Sequence, residues 1–371
     1  MRSLKLAWDN TFARRNQTGS GVYASRLLEH LVKRQDLEVH IFEGVLKNSP
    51  RRNKASRAWQ TASNLLWTHL RLSDRVALSR FDVLHSPAYI APLNSPCPAV
   101  VTVHDITYLL YPEHFASWWV AYMKAVMPRV LRSAAAIICG SQHSKADIVR
   151  TYRVPAGKVH VIPYGIDSRF SPSAKLDPHW AAQLNIRREY LLHVGELSHR
   201  KNIPTLLRAV AQLRHHGDWG KRQVVLAGPE SQGMLGASEI HDTIREEGLS
   251  EIVVLAGRVP DEQLAGLYTG ASLLVMPSLY EGFGFPVLEA MASGTPVIAS
   301  NTSSLPEVAG DAAILVPPHD EAALADAIRD VLNRIETAEG LRRRGLAQSK
   351  RFSWAHTAEE TARIYRSVAE R

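Results

Sequence analysis

The sequence lacks the features of a membrane-spanning, secreted or disulfide-stabilised protein. No uninterrupted apolar run reaches the roughly 18 residues of a membrane-spanning helix, and no apolar stretch typical of a signal peptide precedes the first predicted strand. The two cysteines, Cys97 and Cys139, are too few for a disulfide framework and form no Cys-x-x-Cys metal site. We therefore expect a cytoplasmic protein whose two thiols are reduced.

Motifs for nucleotide hydrolysis, metal binding and nucleic-acid recognition are also missing. The P-loop pattern GxxxxGK[ST] does not occur, and the chain contains no Asp-x-Asp triplet that could ligate a metal ion. No helix-turn-helix, zinc-finger or RNP pattern accompanies the basic residues, so nucleic acid is not expected as a partner. What is left is a chain of 371 residues and ordinary globular composition, 45% hydrophobic, which is long enough for two domains.

Positive charge is concentrated in the first half of the chain. Residues 1–180 contain 24 Lys and Arg against 12 Asp and Glu, whereas residues 181–371 carry a net charge of −4 within a total of +8. Between residues 51 and 80, arginines alternate with Trp59, Trp67 and several leucines, as in a basic amphipathic helix that binds an anionic membrane surface. A solvated helix whose Trp and Leu side chains face the core explains the pattern equally well.

Short apolar runs alternate with helical periodicity along the whole chain, which is typical of parallel sheets that are covered by helices. We therefore predict an α/β protein with two Rossmann-like, doubly wound domains, residues 1–172 and 186–353, joined by a linker at 173–185. Residues 354–371 are predicted to form a C-terminal helix able to pack back on either domain, with the N-terminal domain as first choice. The predicted strands are 4–8, 39–42, 82–85, 99–103, 135–139, 159–162, 190–194, 224–227, 252–255, 273–276, 296–299 and 313–316.

Two carboxylates, Glu281 and Glu289, flank a Gly-rich bend between a buried strand and a helix with Pro286 at its first position. Both therefore lie at or just beyond the C-terminal edge of a parallel sheet, where open α/β folds bind their ligands. Glu289 falls in an apolar helix start, where an unpaired charge is costly. We expect it to have a hydrogen-bond donor as partner.

Two further strand ends carry candidate binding residues. Gly19 and Gly21 open the helix after the first strand, where backbone N–H groups and the helix N-terminus can hold an anion. Arg200 and Lys201 follow the turn at Gly195, and two adjacent cations in a strand-to-helix loop suit a diphosphate. Taken singly, such glycines and cations are as often ordinary features of a turn.

A histidine, His104, ends the predicted strand 99–103, where an imidazole can bond a sugar hydroxyl or a reacting oxygen. A lone histidine in this position is more often structural, and the neighbouring Asp105 is predicted to shape the loop. Two α/β domains of similar size place all these strand edges beside an interdomain cleft, which is a common position for ligand sites.

Together these residues resemble glycosyltransferase family 4, the retaining, metal-independent glycosyltransferases of the GT-B fold. The resemblance covers nearly the whole chain. It rests on Glu281 and Glu289 with the intervening Gly-Phe-Gly-Phe-Pro and on the Arg200-Lys201-Asn202 run. Further matching stretches are 19–21, 104–105, 141–144, 162–167, 278–284, 292–298 and 305–310.

The resemblance implies a nucleotide-sugar donor as substrate, with no cofactor and no metal ion. Arg200 and Lys201 would bind the donor diphosphate and stabilise it as the leaving group. Glu289 would hold the ribose hydroxyls, and Glu281 would contact the transferred sugar. The other implied donor contacts, with the diphosphate, the sugar or the edge of the base, are Gly19, Gly21, Gly195, Arg258, Val259, Gly282, Phe283 and Gly284.

The implied catalytic residues are His104, Glu281, Arg200 and Lys201. His104 would hydrogen-bond the sugar near the reacting centre, while the two cations would stabilise the negative charge that develops on the departing phosphate. Retention of configuration then favours same-face attack assisted by the leaving phosphate over a carboxylate nucleophile.

The residues that follow His104 resemble those of bacterial mannosyltransferases of polysaccharide and O-antigen assembly, which makes GDP-mannose the first choice of donor. GDP-rhamnose or a UDP-hexose are alternatives, as are a nucleotide-sugar epimerase of the same fold and a binding protein without activity. The expected acceptor is a glycan or lipid-linked glycan. The basic N-terminal half suits a peripheral position at the inner face of the cell membrane.

Overall fold

The chain divides into two compact units. The computed structural model describes residues 3–12, 19–44, 54–187, 189–230 and 237–370, with the backbone alone for 54–58 and 60. The described residues of the first unit fall within 1–109, 117–165 and 353–371, and those of the second within 110–116 and 166–352. The segment Leu110–Ala116 therefore belongs to the second unit although it lies in the first half of the sequence.

The first unit is built around a sheet of apolar strands. These are β1 (Leu4–Asp9), β2 (Leu37–Phe42), β3 (Val83–Ser86), β4 (Ala99–Thr102), β5 (Ala136–Cys139) and β6 (Val159–Val161). They form one sheet in the order β2-β1-β3-β4-β5-β6, and every neighbouring pair is parallel. Leu6 on β1 lies opposite Val39 on one side and Val83 on the other.

The second unit repeats this plan with another parallel sheet. Its strands are β7 (Tyr190–Val194), β8 (Gln223–Ala227), β9 (Val253–Gly257), β10 (Leu273–Met276), β11 (Val297–Ser300) and β12 (Ile314–Val316). The order is β12-β11-β10-β7-β8-β9, again parallel throughout. The predicted α/β architecture with two doubly wound sheets is confirmed, and each of the twelve predicted strands is present.

Helices connect the strands. They are α1 (Gly19–Leu31), α2 (Lys54–Leu66), α3 (Leu72–Leu78), α4 (Thr107–Leu110), α5 (Ser117–Ser133), α6 (Gln142–Tyr152), α7 (Pro178–Gln183), α8 (Ile203–His215), α9 (Ala237–Glu246), α10 (Asp261–Thr269), α11 (Phe285–Ala292), α12 (Leu305–Ala309), α13 (Glu321–Asn333), α14 (Ile335–Ser349) and α15 (Trp354–Ala369). A π-helical turn, Trp67–Arg71, joins α2 to α3. Across the described ranges, none of these helices combines the length and apolar character needed to cross a membrane.

The helix α8 shows how the sequence produces these elements. Pro204 occupies its first turn, where a missing backbone N–H costs nothing, and apolar residues recur at helical spacing behind it. Leu206 and Val210 join a buried cluster with strand residues such as Leu191 and Val224. Burial of each such side chain contributes about 1.5–3 kcal/mol to folding, so the helix is fixed mainly by its apolar face.

Each sheet has one point at which the chain reverses the direction of strand addition. It lies between β1 and β3 in the first unit and between β7 and β10 in the second. Loops leave the carboxyl ends of the two strands in opposite directions there, and the crevice between them is where such sheets bind ligands. Asp9 and Ser86 end the strands at this point in the first unit, and the loops at Gly195 and Pro277 begin there in the second.

Candidate active site

An ion cluster of buried Lys201 and Glu281 and half-buried Arg200 occupies this switch point in the second unit. Lys201 Nζ lies 2.5 Å from Glu281 Oε1, and Arg200 Nη1 lies 3.1 Å from Glu281 Oε2. Burial alone would raise the pKa of Glu281, but the two cations outweigh it and lower this pKa to about 2. Burial lowers the pKa of Lys201, and Glu281 opposes that shift. At neutral pH the cluster therefore holds an ionised carboxylate between two cations.

Two glycines shape the loop against which the Lys201 side chain lies. Gly195, directly after β7, has φ +155°, and a Cβ atom there would lie 2.8 Å from Lys201 Cε. Gly228, directly after β8, has φ +148°, and a Cβ atom there would lie 1.8 Å from the Gly195 carbonyl oxygen. A larger residue at either position would displace the backbone or the lysine stem. The predicted site residue Gly195 thus shapes the cluster by the space that it leaves.

Backbone and side-chain hydrogen bonds join the two loops that carry the cluster. Arg200 donates from its guanidinium to the Tyr280 carbonyl oxygen, and the Leu279 N–H donates to the Arg200 carbonyl oxygen at 2.9 Å. Asn202 has a left-handed φ of 54° and donates from Nδ2 to the Pro277 carbonyl oxygen at 3.1 Å. These bonds fix the relative position of residues that are 80 positions apart in sequence.

Two serines that the sequence did not mark as site residues support the backbone around Glu281. The Glu281 N–H donates to Ser303 Oγ at 2.9 Å, and Ser304 Oγ lies 2.8 Å from the carbonyl oxygens of Glu281 and Phe283. Both serines directly precede α12, and in the sequence their residue type indicates only the start of a helix. No sequence signal shows that they contact Glu281. The predicted donor contacts Gly282 and Phe283 lie in the bend that follows Glu281.

The bend ends at Gly284, the N-terminal cap of α11. Its φ of +107° lies in the region that glycine adopts far more readily than other residues, and a Cβ atom there would lie 2.9 Å from Leu305 Cδ2. The helix N-terminus formed here is the kind of position that stabilises an anion. Gly284 is thus required by the turn itself, whatever it contacts in a complex.

Glu289 is buried on α11 and has the hydrogen-bond donor that the sequence predicted. Tyr268 donates from its hydroxyl to Glu289 Oε2 at 2.7 Å. Burial raises the pKa of Glu289 to about 7, against the opposing effects of the Tyr268 hydrogen bond and of Arg169. Asp167 and Asp261 raise it further. The two carboxylates that looked alike in sequence therefore differ, since Glu281 is firmly ionised and Glu289 titrates near neutrality.

Arg258 and Val259 lie in the loop after β9. The Arg258 side chain is exposed and Val259 is half-buried. Because β8 separates β9 from β7, this loop leaves the sheet two strands away from β7, which borders the switch point with the ion cluster. A part in bordering the nucleotide base stays a prediction for these two residues.

His104 lies in the first unit, just beyond β4, and is buried. Its Nδ1 is 2.8 Å from the Tyr164 hydroxyl, and its Nε2 is 3.1 Å from the Pro87 carbonyl oxygen. Since a carbonyl oxygen can only accept, Nε2 carries the proton and Nδ1 accepts from Tyr164. Burial lowers the pKa of His104 to about 4, so the ring is neutral at pH 7. Both ring nitrogens are used within the unit, and a bond to a sugar requires one of them to change partner.

The residues around His104 and at the start of α1 occupy the predicted kinds of position. Asp105 Oδ1 accepts the Thr107 N–H at 2.9 Å, which confirms its role in shaping the loop. Gly19 and Gly21 lie in the first turn of α1, the former exposed and the latter buried. The structure therefore places both glycines at a helix N-terminus, the position on which their predicted anion contact depends.

Asp9, which the sequence did not single out, ends β1 at the switch point of the first unit. Its carboxylate accepts the Thr11 N–H at 3.1 Å and the Ser86 hydroxyl at 3.2 Å. Burial raises its pKa to about 6, although these hydrogen bonds oppose the shift. An acidic residue directly after an apolar strand was the available signal. It was weak, because only the pairing of β1 with β3 brings Ser86 to it.

Two parallel, doubly wound sheets, one in each unit, define the fold class as GT-B. Known folds agree. Sucrose-phosphate synthase from Thermosynechococcus elongatus has a TM-score of 0.75 at 24% identity, with 98% of each chain covered.

Sequence comparison identifies the family within this class. The family model described as Glycosyltransferase Family 4 matches residues 18–170, and the one described as Glycosyl transferases group 1 matches residues 178–348. O-antigen chain mannosyltransferase B of Escherichia coli is 33% identical over 287 residues, which are 76% of this chain and 74% of that protein. MMP alpha-(1->4)-mannosyltransferase of Mycolicibacterium hassiacum is 33% identical over 315 residues, 78% and 72% of the two chains. The chain belongs to glycosyltransferase family 4, as its motifs predicted, and is a glycosyltransferase.

Proposed function

We propose that this glycosyltransferase transfers mannose from GDP-mannose, with retention of configuration and without a metal ion, to a glycan or lipid-linked glycan of a cell-surface polysaccharide. The cluster of Arg200, Lys201 and Glu281 carries the proposal, because it combines cations for a diphosphate with an ionised carboxylate for sugar hydroxyls. Both relatives described above are mannosyltransferases, which supports mannose as the transferred sugar.

Arg200 and Lys201 bind the donor diphosphate in this proposal. Cleavage of the sugar–phosphate bond develops negative charge on the departing phosphate, and fixed cations lower the energy of that state without reorganising. Both cations carry further N–H donors beyond those that face Glu281, so a phosphate can bind while the cluster persists. Their partial burial strengthens the attraction, since the effective dielectric constant is lower than in water.

Glu281 holds the transferred sugar by accepting hydrogen bonds from its hydroxyls. With its pKa near 2, it has no proton to donate at neutral pH and cannot act as a general acid. Each of its oxygens already faces a cation, which lowers its nucleophilicity. This arrangement favours same-face attack assisted by the leaving phosphate over a covalent intermediate on Glu281.

Glu289 holds the ribose of the nucleotide in this proposal. Tyr268 engages Oε2, and two neighbouring ribose hydroxyls are suitable donors to a carboxylate. His104 contacts the sugar after exchanging one of its present hydrogen bonds, and Gly19 and Gly21 contribute the helix N-terminus to the diphosphate.

A thermal-shift screen tests the donor. GDP and GDP-mannose are expected to raise the melting temperature by mass action, whereas UDP and ADP at equal concentration are not. Stabilisation by UDP alone would mean that the donor is a UDP-hexose and not GDP-mannose.

Incubation of GDP-mannose with no acceptor distinguishes a transferase from the alternative of an epimerase. An epimerase yields a new nucleotide sugar, whereas a transferase yields only slow hydrolysis.

The stereochemistry and the metal requirement have separate tests. NMR of the mannosylated product is expected to show the α-anomer, the same configuration as in the donor. Turnover is expected to survive EDTA treatment unchanged. A β-linked product, or activity that returns only when a divalent ion is added back, would contradict these parts of the proposal.

We also propose that the first unit binds an anionic membrane surface. Trp59, Leu66 and Leu70 are exposed, by 62%, 59% and 61%, so these three side chains do not face the core, whereas Leu65 and Trp67 are half-buried. Arg71 and Arg75 are exposed beside them, whereas Arg51 and Arg52, and the side chains of Lys54 and Arg57, lie outside the described part of the chain. Exposed Trp and Leu at helical spacing next to arginines match the surface of an interfacial helix.

Vesicle flotation at low salt tests the membrane contact. Vesicles with phosphatidylglycerol are expected to recover the protein, and the Leu66→Glu/Leu70→Glu variant is expected to lose most of this binding. Ile335→Glu, which changes a residue of the second unit that is 66% exposed, is the matched control. Equal recovery of all three proteins would contradict the proposal.

A further inference from the structure

The segment Leu110–Ala116 lies close to the ion cluster of the second unit. The Tyr111 ring centroid is 6.4 Å from that of Tyr280, the residue before Glu281. The His114 ring centroid is 6.4 Å from that of His199, the residue before Arg200, and the two rings are nearly parallel. Two independent ring contacts thus place this segment beside the loops that carry Arg200 and Glu281.

His114 is the unusual residue of this segment. Its side chain is only 7% exposed, yet within the described part of the chain neither ring nitrogen has a hydrogen-bond partner. The nearest carboxylate oxygen, on Glu113, is 3.8 Å from Nε2, which is too far for a hydrogen bond. A neutral imidazole left in this way forgoes one donor and one acceptor contact, and buried polar groups in folded proteins are rarely left so.

Charged groups on both sides face this ring. Burial lowers the pKa of His114, and the positive groups Arg200 and His199 lower it further, while Glu113 and Glu196 oppose them. The ring is therefore neutral at pH 7 in the absence of a ligand. An anion bound at Arg200 would offset the repulsion from that cation and attract the protonated ring, so it would favour protonation of His114.

We propose that His114 binds the diphosphate of the nucleotide donor together with Arg200, and that it takes up one proton from solvent when the diphosphate binds. Once protonated, the ring offers two N–H donors, which matches its two unpartnered nitrogens to the acceptor oxygens of a phosphate. This inference rests on the proposed function, and it adds to the predicted cation pair a residue from the first half of the chain.

Inorganic pyrophosphate is the appropriate probe. It tests the phosphate contact alone, without the ribose that we assign to Glu289, whose titration near pH 7 would otherwise mask that of His114. Calorimetric titration at pH 7 in two buffers of different ionisation enthalpy measures the number of protons taken up. Pyrophosphate itself titrates near this pH, so the comparison is with His114→Phe: the wild-type protein is expected to take up close to one proton more than this variant, and its advantage in affinity is expected to shrink as the pH rises.

Two variants separate binding from packing. His114→Phe keeps a ring against His199 but has no nitrogen, and it is expected to lose the additional proton uptake and about tenfold in pyrophosphate affinity. His114→Gln keeps a donor and is expected to recover part of the affinity without the additional proton uptake. Guanosine, which lacks phosphate, is expected to bind wild type and both variants equally, and this shows that the variants are folded.

The inference is overturned if His114→Phe binds pyrophosphate with the affinity and proton uptake of the wild type. In that case the wild type still binds GDP, and the proposed function stands. If the wild type binds neither GDP nor pyrophosphate, the proposed function and this inference fail together.

Discussion

The two sheets end in polar residues at the same topological position, yet their electrostatic character is opposite. At the switch point of the first unit, Asp9 is bonded to Ser86 and Thr11, and burial raises its pKa to about 6. His104 nearby is neutral and bonded at both nitrogens. At the switch point of the second unit, two cations share one ionised carboxylate, so these three side chains together carry a net positive charge.

This difference indicates which unit is suited to an anion. Internal partners already bond both carboxylate oxygens of Asp9 and both ring nitrogens of His104 in the first unit. The second unit holds two cations around a single carboxylate, an arrangement that attracts a further anion. The sequence alone predicts glycines at the C-terminal edges of both sheets and a histidine at that of the first. It does not reveal the difference in charge between the two sites.

Removal of one cation from the cluster should reduce the electrostatic difference between the two units, and it should have the largest effect on sugar transfer. Lys201→Met keeps most of the buried stem and leaves Glu281 paired with Arg200, so the fold should persist. We expect kcat/KM for sugar transfer to fall about 100- to 1000-fold, because a fixed charge at the leaving phosphate is lost. Steady-state kinetics with the donor varied measures this. Lys221→Met, at an exposed lysine of the same unit, is the matched control, and equal rates in both variants would refute the assigned role.

Removal of an internal partner in the first unit should affect stability and not donor binding. The Tyr365 hydroxyl lies 2.5 Å from His85 Nδ1, and His85 Nε2 lies 2.9 Å from Thr102 Oγ1, which ties α15 to the sheet. Tyr365→Phe leaves a buried nitrogen unpaired and should cost about 1–3 kcal/mol in the free energy of unfolding. Urea unfolding measures the loss. A change in the affinity for GDP as large as this loss would show that the two units are not as distinct as we infer.

A smaller effect should distinguish the two carboxylates of the second unit. The pKa of Glu289 is about 7 in the free protein, and ribose hydroxyls that bond its ionised form would lower this pKa in the complex. Binding then releases protons, so guanosine affinity should rise as the pH increases towards and through 7 and level off above it. Glu289→Gln should remove this pH dependence and weaken binding at pH 8 by up to about tenfold.

A second variant checks the cause of that pH dependence. The Tyr268 hydrogen bond favours the ionised form of Glu289, so Tyr268→Phe should move the rise in guanosine affinity to higher pH. Glu281 is ionised throughout this range and should contribute no pH dependence. An unchanged pH profile in both variants would mean that Glu289 does not hold the nucleotide.

Much of the fold was predictable because its signals are local. Each strand is a short apolar run with turn residues after it, and the positions of these runs predicted the twelve strands and both sheets. The bend from Glu281 to Glu289 was equally accessible, since Gly284 and Pro286 mark the end of a loop and the start of a helix. A hydrogen-bond donor for Glu289 followed from the cost of burying a charge.

The partners of the site residues were not predictable, because they come from distant parts of the chain. Lys201 meets Glu281 only through the pairing of β7 with β10, and Ser303 and Ser304 approach from beyond β11. The neutral state of His104 depends on Tyr164, which is 60 positions away. Likewise, no local signal in the sequence of Leu110–Ala116 assigns it to the second unit.

The two carboxylates of the bend illustrate which properties the sequence determines and which only the tertiary structure decides. The sequence alone determined the strands and, through its motifs, the family, because apolar periodicity, turn residues and short motifs involve a few neighbouring positions. The switch points followed only from the strand order of the folded sheets. Tertiary structure alone decided that Glu281 is ionised and Glu289 titrates near neutrality. A pKa depends on burial and on charges within a few ångströms, and these are set by chain segments that only the folded sheets bring together.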